Sequence, residues 1–281
     1  MDLRERIRAA LHEDIGPGDL TTDACIDATK NGSAVIVAKE SVVISGMSAA
    51  KIAFETAAAR RGAFVAMTVK VEDGHVAHKG DVIAQLHGNL ATILEGERTA
   101  LNLLMRMTGI ATHVRRVLTE VGETTFRAVD TRKTTPLWRD LEKAAVKHGG
   151  GDNHRFGLFD GVLIKDNHIA AVGGVAAAVE RARVAVHHLV RIEVEVGSLA
   201  ELEEALNAGA DGVLLDNMDD AHIAQAIAFA RERWPNAFLE ASGNMDTARL
   251  ISLAQVGLDV VSVGGFIHHA VWADLSLKVL S

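Results

Sequence analysis

Between Asp130 and His168 the chain gathers seven Lys or Arg residues and three His against six Asp or Glu. The whole chain is acidic, with 29 Lys plus Arg against 37 Asp plus Glu and a formal charge of -8. Part of the local excess is ordinary, because Arg139, Asp140, Glu142, Lys143 and Lys147 have the spacing of helix-surface ion pairs. Arg132, Lys133, Arg155 and Lys165 fall instead at strand ends or in connections, with His154, Asn167 and His168 beside them. A guanidinium offers two parallel hydrogen bonds to a carboxylate or phosphate, and an ammonium offers a compact charge. Several such cations repel one another unless an anion sits among them. The segment therefore predicts a pocket for a small, multiply anionic substrate.

Carboxylates and small-residue turns supply the rest of a site. Glu195 and Asp216 close consecutive predicted strands and could face one cavity. There they could bind hydrated Mg²⁺, accept hydrogen bonds from ribose hydroxyls, or stabilise a cationic transition state. The plainer alternatives are a turn cap at Asp216 and an arginine pair at Glu195. Ser242-Gly243 and Gly264-Gly265 follow the last two predicted strands, where backbone amides could cradle a phosphate or simply make a turn. His154 and His168 have no zinc spacing. The adjacent pairs His187-His188 and His268-His269 lack the i,i+4 arrangement of a helical metal motif and are assigned to surface or packing.

These groups need a scaffold that presents strand ends side by side. β-Branched and apolar runs predict strands at Phe126–Val129, Gly161–Ile164, Arg191–Val194, Gly212–Leu215, Ala237–Glu240 and Val260–Val263. Helical patterns intervene at 137–148, 172–185, 199–208, 220–233 and 247–255. Alternation of this kind favours a parallel α/β sheet, closed as a barrel or left open, with a site at the carboxyl ends of its strands. Ahead of it the chain reads as α+β. A helix capped by Asp2 and Glu5 ends near Ile15, strands follow at 34–38 and 41–45, a helix at 48–60, and strands near 64–71 and 81–86. An apolar helical stretch, 93–118, is expected to be interrupted at Gly109.

Length and composition agree with one barrel plus a smaller domain: 281 residues, 48% hydrophobic, with no tyrosine and so a largely aliphatic core. The acidic balance argues against nucleic-acid binding. A single cysteine, Cys25, precludes an intrachain disulfide and suggests a reducing compartment. The charged start MDLRERIRAALHED is unlike a signal peptide, and no apolar run is long enough to span a membrane. The expectation is a soluble cytoplasmic enzyme.

The ordered run Asp130-Thr131-Arg132-Lys133-Thr134-Thr135-Pro136, Leu141-Glu142-Lys143, Gly149-Gly150-Gly151, Asn153-His154-Arg155 and Leu163-Ile164-Lys165-Asp166-Asn167-His168 closely resembles the quinolinate phosphoribosyltransferases. Further matches are Glu13-Asp14-Ile15-Gly16, Glu97-Arg98-Thr99, Leu214-Leu215-Asp216-Asn217, Glu240-Ala241-Ser242-Gly243 and Asp274-Leu275-Ser276-Leu277-Lys278, so the likeness spans essentially the whole chain. It implies an α/β fold with an N-terminal α/β sandwich domain (1–111), an incomplete, roughly seven-stranded α/β barrel (112–269) and a C-terminal tail (270–281) that packs on the first domain. The implied reaction converts quinolinate and phosphoribosyl pyrophosphate to nicotinate mononucleotide, pyrophosphate and carbon dioxide with Mg²⁺, a step in NAD biosynthesis. By the same resemblance Arg132, His154, Arg155 and Lys165 surround the quinolinate carboxylates, and Lys133 approaches the phosphoribosyl donor. Glu195 and Asp216 serve the ribose and the Mg²⁺-pyrophosphate, and Ser242, Gly243, Gly264 and Gly265 hold the 5′-phosphate. Lys133, Lys165, Glu195 and Asp216 are the expected catalytic residues, and Arg98 is expected to enter the pocket of the other subunit of a homodimer.

The chain departs from the family pattern at Leu137-Trp138 and in the loop Gly265-Phe266-Ile267-His268-His269, changes that leave the ionic residues in place. A phosphoribosyltransferase for another pyridine or azole carboxylate would keep the phosphate site while altering Arg132, His154, Arg155 or Lys165. A non-catalytic nucleotide-binding protein would need no such combination of donor-site carboxylates and substrate-site bases.

Overall fold

A computed structural model describes residues 1–280. The chain opens with α1 (Leu3–Ile15), α2 (Leu20–Cys25), β1 (Asn31–Ala38), β2 (Val42–Val43), α3 (Met47–Arg61), β3 (Val65–Val69), β4 (Val76–Ala77) and β5 (Val82–Asn89). The long α4 (Leu90–Val121) leads to β6 (Arg127–Val129), α5 (Arg139–Gly149), β7 (Val162–Ile164), α6 (Asp166–Val172) and α7 (Val175–Ala185). Next come β8 (Ile192–Val196), α8 (Leu199–Asn207), β9 (Gly212–Asp216), α9 (Asp220–Arg233), β10 (Phe238–Ser242), α10 (Thr247–Ser252) and β11 (Val260–Ser262). A single turn, α11 (Gly265–His268), precedes the last strand, β12 (Leu275–Leu280).

Two compact units divide the chain. The first takes Met1–Arg116, Thr135–Gly150 and the residues from His269 onward; the second takes Val117–Thr134 and Gly151–His268. In the first, α1 starts as its sequence dictates. The Asp2 carboxylate accepts from the Glu5 backbone N–H, the Glu5 side chain accepts from Asp2, and Ile7, Leu11 and Ile15 are buried. The larger sheet of this unit runs in the order β12-β1-β5-β3, and β2 pairs separately with β4. Strand β12 comes from the far end of the chain, pairing antiparallel with β1 from Ser33↔Leu280 to Ala38↔Leu275. Ser281, the end of the expected tail, lies outside the described residues.

Gly109 does not interrupt the helix. α4 runs through it to Val121, and a Cβ built there would lie 2.0 Å from the Val271 carbonyl oxygen. The residue is small because another backbone passes against it, which local periodicity cannot reveal.

The second unit is built on a six-stranded sheet ordered β6-β11-β10-β9-β8-β7, and every pairing in it is parallel. All six strands expected from sequence are present. Asp152, outside them, adds an isolated parallel bridge to Val129. β9 reads Gly-Val-Leu-Leu-Asp and is buried along its first four residues, as suits a strand covered on both faces. β8 alternates instead: Ile192, Val194 and Val196 are buried on one face, and Glu193 and Glu195 share the other.

At the amino ends of the strands two matching clamps secure the sheet. Asp211 accepts the Ile192 N–H at 2.7 Å and Arg183 of α7 at 2.7 Å. Asp259 accepts the Leu239 N–H at 2.8 Å and Arg231 of α9 at 2.8 Å. Each ties one strand to its neighbour and to a helix, which leaves the opposite strand ends for function. No helix among the described residues is long and apolar enough to cross a membrane.

Candidate active site

Polar residues collect at the carboxyl ends of the second unit's strands. After β6, Asp130 is fully buried. Its carboxylate accepts the His154 backbone N–H at 2.9 Å and the Asn153 side-chain amide at 2.6 Å. Its own N–H donates to Asp152 at 3.0 Å. The aspartate therefore fastens the loop 152–155 onto the end of β6, and the sequence pattern alone did not separate this supporting role from a ligand-facing one.

That loop carries His154 and Arg155. His154 Nδ1 accepts the Arg155 backbone N–H at 2.7 Å, and its Nε2 lies 3.4 Å from Glu240 and 3.9 Å from Glu193. The Arg155 guanidinium donates to the Gly161 carbonyl at 2.9 Å. Its pKa is lowered by burial first and by the Arg132 charge second, with Asp160 and Glu193 opposing. Two guanidiniums brought this near are held against their mutual repulsion, the condition an anionic ligand relieves.

Lys165, after β7, makes an ion pair with Glu195 of β8. Its backbone N–H donates to His168 Nδ1 at 3.0 Å, which closes the first turn of α6, a helix the sequence reading did not include. Asp216 ends β9 level with Ser242 of β10. It accepts the Asn217 side-chain amide at 2.6 Å. Gly243 (φ +100°) adopts a backbone open chiefly to glycine, and a Cβ there would meet the Asn217 side chain at 2.3 Å. Lys133 lies along Gly264, its Cδ 3.1 Å from where a Cβ would stand. Gly265 opens α11.

The second unit thus brings together Lys165 with Glu195, Asp216 with Ser242 and Gly243, Lys133 with Gly264, and the loop of His154 and Arg155 with Arg132. Arg98 belongs to the first unit, exposed on α4. Burial raises the pKa of the neighbouring Glu97, with Arg98 opposing.

Three residues escaped the sequence reading. Arg249 donates to the Gly243 carbonyl at 2.5 Å, to the Met218 carbonyl, and to Asp220 at 3.1 Å, locking the loops after β9 and β10 together. Glu240 is 1% exposed and accepts the Ser262 hydroxyl. Glu193 was signalled by the alternation Ile192-Glu193-Val194-Glu195-Val196, which places it on the same face as Glu195. His154, Glu193 and Glu240 each present an atom within 4.8 Å of the others.

Burial, then the Glu240 charge and a hydrogen bond to Glu240, push the Glu193 carboxyl up to about 8 from an ordinary 4.5. Because the folded pKa lies above the unfolded one, the stability tied to its proton is complete below about pH 4.5 and is lost as pH rises through about 8. Glu193→Gln, which stays neutral, should match wild type near pH 4.5 and exceed it by on the order of 2–4 kcal/mol at pH 8 and above. Thermal unfolding across this range checks it; a constant difference in Tm would show that Glu193 does not titrate in the folded protein.

Two family models match the chain: "Quinolinate phosphoribosyl transferase, N-terminal domain" over residues 19–108 and "Quinolinate phosphoribosyl transferase, C-terminal domain" over residues 110–278. A probable nicotinate-nucleotide pyrophosphorylase (carboxylating) of Bacillus subtilis is 40% identical over 279 residues, covering 99% of this chain and 94% of that protein. The nicotinate-nucleotide pyrophosphorylase (carboxylating) of Mycobacterium leprae is 38% identical over 277 residues, covering 98% and 96%. The solved nicotinate-nucleotide pyrophosphorylase of Francisella tularensis superposes with a TM-score of 0.91 at 35% identity, covering 99% of this chain and 96% of that one. Matched in both halves of its sequence and along its whole fold, the chain belongs to the quinolinate phosphoribosyltransferase family.

Proposed function

We propose that the protein is a decarboxylating phosphoribosyltransferase that converts quinolinate and phosphoribosyl pyrophosphate to nicotinate mononucleotide, pyrophosphate and carbon dioxide in NAD biosynthesis. The observation that carries the reading is Arg155, a partly buried guanidinium disfavoured by its surroundings and by Arg132, in the same set of strand ends as the Lys165–Glu195 pair. Quinolinate places two carboxylates on adjacent ring carbons. Arg132, His154, Arg155 and Lys165 form the cationic surroundings for them. Lys133 serves the donor, Glu195 and Asp216 the ribose, and Ser242, Gly243, Gly264 and Gly265 the 5′-phosphate. We read the six-stranded sheet as an incomplete α/β barrel of about seven strands, and the enzyme as cytoplasmic.

The pyridine nitrogen attacks ribose C1, the bond to pyrophosphate breaks, and positive character grows at C1, where Glu195 and Asp216 offset it. The ring nitrogen becomes cationic. When the adjacent carboxylate leaves as carbon dioxide, the electron pair of the broken bond stays on the ring carbon, where the neighbouring positive nitrogen stabilises it until that carbon takes up a proton. No protein nucleophile is required, so the chain contributes alignment and charge. Mg²⁺ fits the donor set: Glu195 and Asp216 are oxygen ligands of intermediate exposure, and their bonds to Lys165 and Asn217 each use one oxygen. When bound, the ion would neutralise charge on the departing pyrophosphate.

Purified protein given quinolinate, phosphoribosyl pyrophosphate and Mg²⁺ should release nicotinate mononucleotide and carbon dioxide in equal amounts. Product from nicotinate and none from quinolinate would overturn the substrate. We further propose a homodimer in which Arg98 completes the partner's pocket. Arg98→Ala and Lys165→Ala proteins, each inactive alone, should then regain activity when mixed, because one heterodimer site keeps both residues. Verified heterodimers without activity would count against the sharing.

A further inference from the structure

Glu240 sits in the middle of β10 with 1% of its surface exposed. Burying a carboxylate is costly unless its oxygens have partners, and an apolar side chain of similar volume would fill the space without that cost. The partners it has are specific. The Ser262 hydroxyl of β11 donates to one oxygen, and the same oxygen lies 3.4 Å from His154 Nε2. Across the ring, Nδ1 accepts the Arg155 backbone N–H at 2.7 Å. A nitrogen that accepts carries no proton, so the ring proton stands on Nε2, directed at Glu240 with Glu193 beside it. The imidazole is thus committed on both sides to protein groups. The next residue, Arg155, is held at its backbone by that ring and at its tip by the Gly161 carbonyl, 2.9 Å away.

We propose that Glu240 is a positioning residue of the quinolinate clamp: through the His154 ring it fixes the backbone that carries Arg155. The proposal rests on the quinolinate reading above. Besides Glu240, Glu193 from β8 faces the His154 ring at 3.9 Å, and the Asp130 carboxylate holds the His154 N–H at 2.9 Å. Ser262 from β11 donates to the Glu240 oxygen that faces the ring.

Nitrogen NMR of the intact enzyme with isotope-labelled histidine, assigned through a His154→Asn variant, reads the ring directly. Wild type should show His154 as the Nε2–H tautomer, and Glu240→Leu should move it to a mixture. In kinetics, Glu240→Leu should raise KM for quinolinate about tenfold and leave KM for phosphoribosyl pyrophosphate within about twofold. Glu240→Gln, which keeps an acceptor, should return within about threefold of wild type. An Nδ1–H tautomer in wild type, or equal rises in both KM values, would overturn the proposal. If Glu240→Leu does not fold, Ser262→Ala frees Glu240 without emptying the core. A rise confined to quinolinate then supports the proposal, and no rise, or a rise in both, overturns it. Should wild type not turn over quinolinate, the substrate reading fails, and the response of the His154 tautomer to these variants still decides the link to Glu240.

Discussion

Arg155→Ala should raise KM for quinolinate about 30- to 1000-fold, the loss expected when one partner of a desolvated, charge-assisted carboxylate pair is removed. KM for phosphoribosyl pyrophosphate should stay within about twofold, because the groups assigned to that substrate are Lys133, Glu195, Asp216 and the turns at Ser242-Gly243 and Gly264-Gly265, none of which the substitution alters. What marks the effect as one on binding is the stability of the ligand-free protein. The guanidinium is disfavoured by burial and by Arg132, so its removal relieves repulsion while it gives up one bond to the Gly161 carbonyl. Tm of the variant should therefore hold or rise, whereas loss of a structural arginine would lower it. Arg155→Lys keeps the charge but not the paired geometry and should fall between. A variant that unfolds early, or one that loses affinity for both substrates alike, would place Arg155 in the scaffold instead.

Much of this was legible in the residues because local and long-range preferences agree. The six strands of the parallel sheet carry β-branched or other apolar residues, and their polar ends stand where a parallel sheet builds its sites. The start of α1 is written in Asp2 and Glu5. What escaped depends on distant chain. β12 becomes a strand by pairing with β1, more than two hundred residues earlier, and Gly109 is small because Val271 passes against it. The two-residue β4, held by its pairing with β2, and the single turn α11 contain too few residues to show a period.

The site was legible by a different route. Arg132, Lys133, Arg155 and Lys165 stand out as cations outside any helix stripe, and the Lys165–Glu195 pair joins residues singled out separately. Glu193, Glu240 and Arg249 did not stand out. A carboxylate inside a strand looks like an ordinary solvent-facing residue until the sheet is assembled around it, and Arg249 looks like one charge on a short helix until the carbonyls of Met218 and Gly243 are seen to converge on it.

Asp130→Ala should be the most damaging single change away from the substrate. Asp130 has no exposed surface, and its two oxygens are used by the His154 N–H and the Asn153 amide. Alanine leaves a buried backbone donor unpaired and the loop 153–155 unfastened, at a cost of about 3–5 kcal/mol in stability. Function should fall further than folding. The loop carries both His154 and Arg155, and a displacement on the order of 1 Å in positioning groups reduces turnover by about 10²-fold even in molecules that remain folded. The expected result is a lower Tm together with a drop in kcat/KM that persists well below the unfolding transition. Asp130→Asn separates the two effects. Its amide oxygen can still accept the His154 N–H, and Asn153 can turn its own carbonyl toward the new amide, so stability and turnover should both recover most of the way. If Asp130→Ala melts early but shows wild-type kcat/KM while folded, the loop finds its place without the clamp, and the buried aspartate serves stability alone.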